Sequence, residues 1–213
     1  MKSKKTWWIV VCAFALLAAV TAGTLAYLTD RDAVVNTFTV GDVQITLDEA
    51  EIVNGQATGN RTDKGNDYHL IPGKTYVKDP TVTVWADSES SYIRMLVTIN
   101  KQAEPDAIFA AHDLELTDIF GGFDSHWVLN DVDRSDNATI VYEFRYDSIV
   151  TAGDTDLKLP ALFTELKVPG EITREEMQTI ADLKITVVGE AIQAETFADA
   201  DAAWAAFDEQ VNG

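Results

Sequence analysis

His69, His112 and His126 are the only imidazoles in the chain. Their spacing lacks the His-Glu-x-x-His pattern, which places two rings one helical turn apart on a single zinc. The one cysteine, Cys12, lies within an apolar run near the start. Ser88, Ser90 and Ser91 fall in the polar stretch ADSESSY, with no Gly-x-Ser-x-Gly elbow to expose a nucleophile. Carboxylates number 35, so close pairs will arise by chance, and no general acid–base dyad follows from their abundance. The best ligand spacing is NDVDRSDN (130–137). Asp131, Asp133, Ser135 and Asn137 alternate like the first four ligand positions of a calcium loop. Asp136 and Tyr142, however, stand where that loop needs glycine and glutamate. A solvated hairpin turn is the favoured reading, and calcium the minor one. The residues therefore predict no enzyme and no resident cofactor.

The elements that must carry these residues are mostly strands. AVVNTFTV (33–40) and DVQITLDEA (42–50) are β-branched and alternate, with Val43, Ile45 and Leu47 on one face. TVTVWA (81–86) and SYIRMLVTIN (91–100) alternate too. The second is partly apolar on both faces, as a central strand would be. HWVL (126–129) and ATIVYEFRY (138–146) predict a hairpin around the acidic turn, and LFTELKVP (162–169) and LKITVVGEAIQAE (183–195) predict further strands. NGQATGNRTDKGND (54–67) reads as an exposed loop. One helix is expected over 104–120, and a second behind the capping box Thr173–Glu176. A third carries the stripe Ala200, Ala203, Trp204, Phe207 and Val211. Trp85, Trp127, Trp204 and Phe207 are expected in the core. The sum predicts one mainly β domain over 27–213: an antiparallel β sandwich, jelly-roll-like, with two or three short helices.

Charge and hydropathy place this domain. Lys2, Lys4 and Lys5 precede the apolar run Trp7–Val20, and no charge follows before Asp30. A basic start, an apolar middle and a small-residue exit form the layout of a secretory signal. The 14-residue run is short against the roughly 20 residues of a spanning helix, although adding TAGTLAYL would reach that length as an uncut anchor. Cleavage after Ala26, with Thr24 as the other small pocket residue and Tyr27 as the new N-terminus, is the preferred reading. The membrane would then be met only through the uncut signal. Losing three lysines takes the net charge from −19 to −22, which excludes nucleic acid as a natural partner. With no cysteine past residue 12, the exported part must hold together without disulfides.

AGTLAYLTDRDAVVNTFTVGDVQITLDE (22–49) resembles exported proteins of Gram-positive bacteria whose signals are cut by a SipW-type signal peptidase, the TasA and camelysin group. The matching elements are Gly23, Thr24, Ala26, Tyr27, Thr29, Asp30, Asn36, Phe38 and Gly41; Leu28 stands where an aromatic is common. The segments 71–84, 91–99, 159–169 and 190–207 are similar to the less studied branch of such proteins. The resemblance implies a secreted jelly-roll-like subunit of a biofilm matrix or cell surface, a SipW-type peptidase as processing partner, and fibres of like copies or matrix proteins joined by strand exchange. On that reading the donor strand includes Val34, Val35, Phe38 and Val40. Camelysin-type relatives are classed as peptidases, so a secreted metalloprotease is the alternative. A monomeric surface adhesin is the third reading.

Overall fold

The computed structural model describes residues 38–40, 42–100, 103–180 and 183–212. Twelve strands follow in chain order among them: β1 (Phe38–Val40), β2 (Ile45–Val53), β3 (Gln56–Thr62), β4 (Thr75–Val77), β5 (Thr81–Val84), β6 (Ser91–Asn100), β7 (Phe120–Gly121), β8 (Trp127–Asp133), β9 (Thr139–Tyr146), β10 (Leu157–Lys158), β11 (Glu165–Lys167) and β12 (Ile185–Gln193). The helices are α1 (Ala103–Ala111), α2 (Arg174–Thr179) and α3 (Ala200–Asn212), with a 3-10 turn at Leu116–Ile119. The fold is mainly β and consistent with a β sandwich, as the alternation predicts. None of the helices among the described residues is long and apolar enough to cross a membrane.

A five-stranded sheet runs β1-β12-β6-β9-β8, a four-stranded sheet β10-β5-β2-β3, and a three-stranded sheet β4-β11-β7. Every pairing is antiparallel except β1 on β12. The first two sheets face each other across one core. Ile93, Met95, Val97 and Ile99 of β6, Ile140, Tyr142 and Phe144 of β9, and Val187 and Ala191 of β12 meet Ile45 and Leu47 of β2 and Val82 and Val84 of β5 there. Each of these large side chains contributes about 1.5–3 kcal/mol by leaving water. At Gly189 an added Cβ would lie 3.2 Å from Val82 Cγ2 and 3.5 Å from Leu47 Cβ. A side chain there would require Val82 to give by a few tenths of an ångström.

The alternating faces of β2, β6 and β9 fall as expected, with Val43, Ile45 and Leu47 all buried. β6 is central, between β12 and β9. Thr173 caps α2: its hydroxyl accepts from the Glu176 N–H, and the Glu176 carboxylate reaches back to the Thr173 N–H at 2.8 Å. Trp127, Trp204 and Phe207 are buried, and Trp127 donates to the Pro160 carbonyl at 3.0 Å.

Several expectations need correction. Residues 54–67 are not all loop: 56–62 form β3, joined to β2 by the two-residue turn Asn54-Gly55 with φ of 52° and 77°. Positive φ at both positions is the signature of a tight hairpin turn that Asn-Gly adopts easily. The single helix over 104–120 stops at Ala111, because Asp113 takes a left-handed φ of 56°; the 3-10 turn and β7 follow. The strand expected over 162–169 is only Glu165–Lys167. Trp85 is 45% exposed rather than core. It follows the last residue of β5, and its N–H is held by the Gln44 carbonyl as the chain turns outward to Asp87, at φ 61°. Val211, at the end of the α3 stripe, is exposed.

Candidate interaction site at the β12 edge

The expected cleavage residues Thr24, Ala26 and Tyr27 lie outside the described residues, as do Val34 and Val35. Phe38 and Val40 are the ends of β1. β1 forms an edge of the five-stranded sheet, parallel to β12, in the register Phe38↔Glu190, Thr39↔Ala191 and Val40↔Ile192. It pairs with only the C-terminal part of β12. Along Ile185–Gly189 no strand among the described residues pairs with the outer edge.

Behind this edge the outer face of the sheet carries charge in a row. Glu190 of β12 stands opposite Arg94 of β6, and Arg94 opposite Arg145 of β9. Arg94 is 3% exposed and Glu190 6%. The Arg94 Nε donates to Glu190 Oε2 at 2.6 Å, and Nη1 donates to Glu143 Oε2 at 3.2 Å. Its remaining reach goes to Asp208 of α3 through both Nη atoms. Arg145 pairs with Glu143 and, through Nη1, with Asp201 of α3. Two arginines thus lie side by side because Glu143 bridges them and α3 brings a carboxylate to each. Asp201, Trp204 and Asp208 sit at i, i+3 and i+7, on one helix face.

The same face of α3 brings aromatic rings. The Arg94 guanidinium carbon lies 4.3 Å from the Trp204 ring and 5.3 Å from that of Phe207. Ala203, Trp204, Phe207 and Ile192 form a small core of their own, separate from the one between the sheets, with Tyr92, Phe197 and Ala200 packed against it. Burial works against the Arg94 charge, but hydrogen bonds to Asp208 and Glu190 hold its proton more firmly than in water. Burial raises the Glu190 carboxyl above its ordinary 4.5, against the pull of Arg94. Asp199 starts α3, its carboxylate accepting from the Ala202 N–H at 2.9 Å.

The acidic stretch is divided between a strand and a turn. Asp131 and Asp133 lie on β8, opposite Glu143 and Val141, with a bulge between Leu129 and Asp131. β8 therefore runs further into NDVDRSDN than the hairpin reading expected, and the turn proper begins at Arg134. Asp133 Oδ1 accepts from the Ser135 N–H at 2.8 Å, which lowers its carboxyl pKa. This local bond brings two of the four calcium candidates together. Asn137 is exposed between β8 and β9. Among the described residues no group of three His, Cys, Asp or Glu side chains could hold a metal ion. His112 contacts the Glu176 carboxylate at 3.0 Å, His126 contacts Asp147 at 3.0 Å, and His69 is exposed.

No family model, curated protein or solved structure matches this chain.

Proposed function

We propose that this chain is a secreted structural subunit, a matrix or surface fibre protein without a catalytic step, in which export frees an N-terminal strand to join one copy to the next. The observation that carries the reading is the β12 edge. Three residues of β1 cover Glu190–Ile192, no strand among the described residues covers the outer edge of Ile185–Gly189, and the sequence preceding β1 is β-prone. Unpaired backbone at a sheet edge is satisfied equally well by a strand of the same chain or of a neighbour. A head-to-tail contact of that kind propagates as an open filament. The apolar run before residue 27 supports export, and the buried core supports a domain that folds without disulfides.

The test is assembly. Protein released by cells expressing the full-length chain is sequenced from its N-terminus and viewed by electron microscopy. The expected result is an N-terminus at Tyr27 and filaments. Deletion of residues 27–40 is expected to leave a folded subunit that stays monomeric. Filaments of the deleted chain overturn the donor assignment. Proteolysis abolished by a chelator supports the peptidase alternative instead.

A further inference from the structure

We propose that α3 is a detachable latch over the seat of β1, so that docking of the C-terminal helix controls whether the N-terminal strand is held or released. The proposal rests on the strand-exchange reading for its purpose but on separate contacts for its mechanism.

The helix and the strand share one short piece of β12. Glu190 and Ile192 take part in the attachment of α3, the first through Arg94 and the second in the small core with Trp204 and Phe207. The same two residues mark the ends of the β1 register, opposite Phe38 and Val40. A three-residue strand has little hold of its own, so β1 depends on an ordered partner at Glu190–Ile192. With α3 docked, Arg94 pins Glu190 and the rings cover Ile192. Without α3, that end of β12 loses its outer-face support, and β1 loses its seat.

The latch can open without opening the fold. Its small core is separate from the cluster between the sheets, so lifting α3 leaves Ile45, Val82, Ile93 and Ile140 packed. Water can receive Arg94, Arg145 and their carboxylates as α3 departs. The Trp204 indole N–H is buried with no hydrogen-bond partner, a penalty that exists only in the docked state. Once lifted, a 13-residue helix is marginal on its own and frays. Coupling of this kind is reciprocal: removing β1 must weaken α3 docking by the same factor.

The experiment is amide hydrogen exchange on protein produced from the full-length chain, comparing wild type with the double variant Trp204→Ala, Phe207→Ala. Residues 38–40, 190–192 and 200–212 are expected to exchange together at least about tenfold faster, while 45–47, 82–84 and 140–144 keep their protection. Acceleration of α3 with 38–40 unchanged overturns the proposal. So does an equal acceleration of the sandwich core, which would make α3 part of one cooperative unit. Asp208→Asn keeps both rings and is the milder variant should the double one not fold. The same segments then accelerate together by a smaller factor, and α3 accelerating alone again refutes the latch. The readout needs no filament. A variant that frees 38–40 yet never assembles counts against strand exchange and leaves the latch standing.

Discussion

Replacing Arg94 by Met tests the charge row directly. Met keeps an unbranched apolar stem over Trp204 and removes only the guanidinium. Three carboxylates lose a partner, but they are not equally placed. Glu143 retains Arg145 and accepts from Asn130 at 3.1 Å, and Asp208 is about half exposed, with a side-chain exposure of 49%. Glu190, 6% exposed, is left buried and uncompensated. Breaking a buried pair from one side costs about 3–5 kcal/mol, and nearly all of that should come from Glu190. The sign with pH follows. Burial already raises the Glu190 carboxyl above 4.5 in the folded chain, and removing Arg94 raises it further. A raised folded pKa gives stability that is full below the unfolded value and lost as pH rises through the folded one. The Arg94→Met deficit should therefore be largest near pH 7.5 and shrink toward pH 5. Urea unfolding at both pH values measures it, with Arg94→Met, Glu190→Leu as the companion. Removing both charges should cost less than the sum of the single changes by about 2 kcal/mol. A deficit under about 1 kcal/mol at neutral pH, or one that grows on acidification, refutes the reasoning.

Gly122→Ala should cost about 2–4 kcal/mol in thermal or urea unfolding. Gly122 has a φ of 69°, and the new Cβ would meet Thr164 Oγ1 at 2.1 Å. Gly153→Ala, which meets open space, is the control and should stay within about 0.5 kcal/mol. Thr173→Ala removes the α2 cap at a cost of about 1 kcal/mol. The Thr173 N–H and hydroxyl, with His112, hold the Glu176 carboxyl down to about 2. A lowered folded pKa gives stability present above the ordinary 4.5 and lost as pH falls through about 2, so the gap between wild type and Glu176→Gln should close over that window. Carboxylate NMR titration locates the midpoint. Calorimetric titration with calcium should give the same result for wild type and the Asp131→Ala, Asp133→Ala variant, since these two side chains project from β8 rather than from a closed loop.

The parts of this fold legible in the sequence are those where burial alternates. β6 shows it most plainly: Ile93, Met95, Val97 and Ile99 are spaced by two and all turn to the core. The Thr173 cap and the α3 stripe were readable for similar reasons, since each is a local rule. β3 was not readable by alternation, because its residues are largely exposed. Its stability lies in backbone pairing and in hydrogen bonds such as Thr58 to Glu51 at 2.7 Å and Arg61 to Asp48 at 2.6 Å. The Asn54-Gly55 turn was the usable signal. In the sequence Arg94 reads as one polar residue in a mixed strand. Its meaning needed Glu190, 96 positions away, and nothing local ties the two. The only hint is chemical: one arginine and one glutamate, each the sole charge in its strand.

The two borders of the five-stranded sheet are built differently. β8 carries exposed Val128 and Leu129, which alone would invite another chain. The bulge after Leu129 then breaks the ladder, and Asp131 and Asp133 present negative charge along the remainder. Two such borders brought together antiparallel would set like charges against each other. The opposite border is β1 over Glu190–Ile192, and along Ile185–Gly189 the described residues provide no strand beyond β12 and neither device. A molecule with one guarded and one receptive side has a direction, as a thread does and a felt does not. On the strand-exchange proposal, growth through the receptive side would lengthen a chain of subunits, and the guarded side would keep neighbouring chains from fusing sideways.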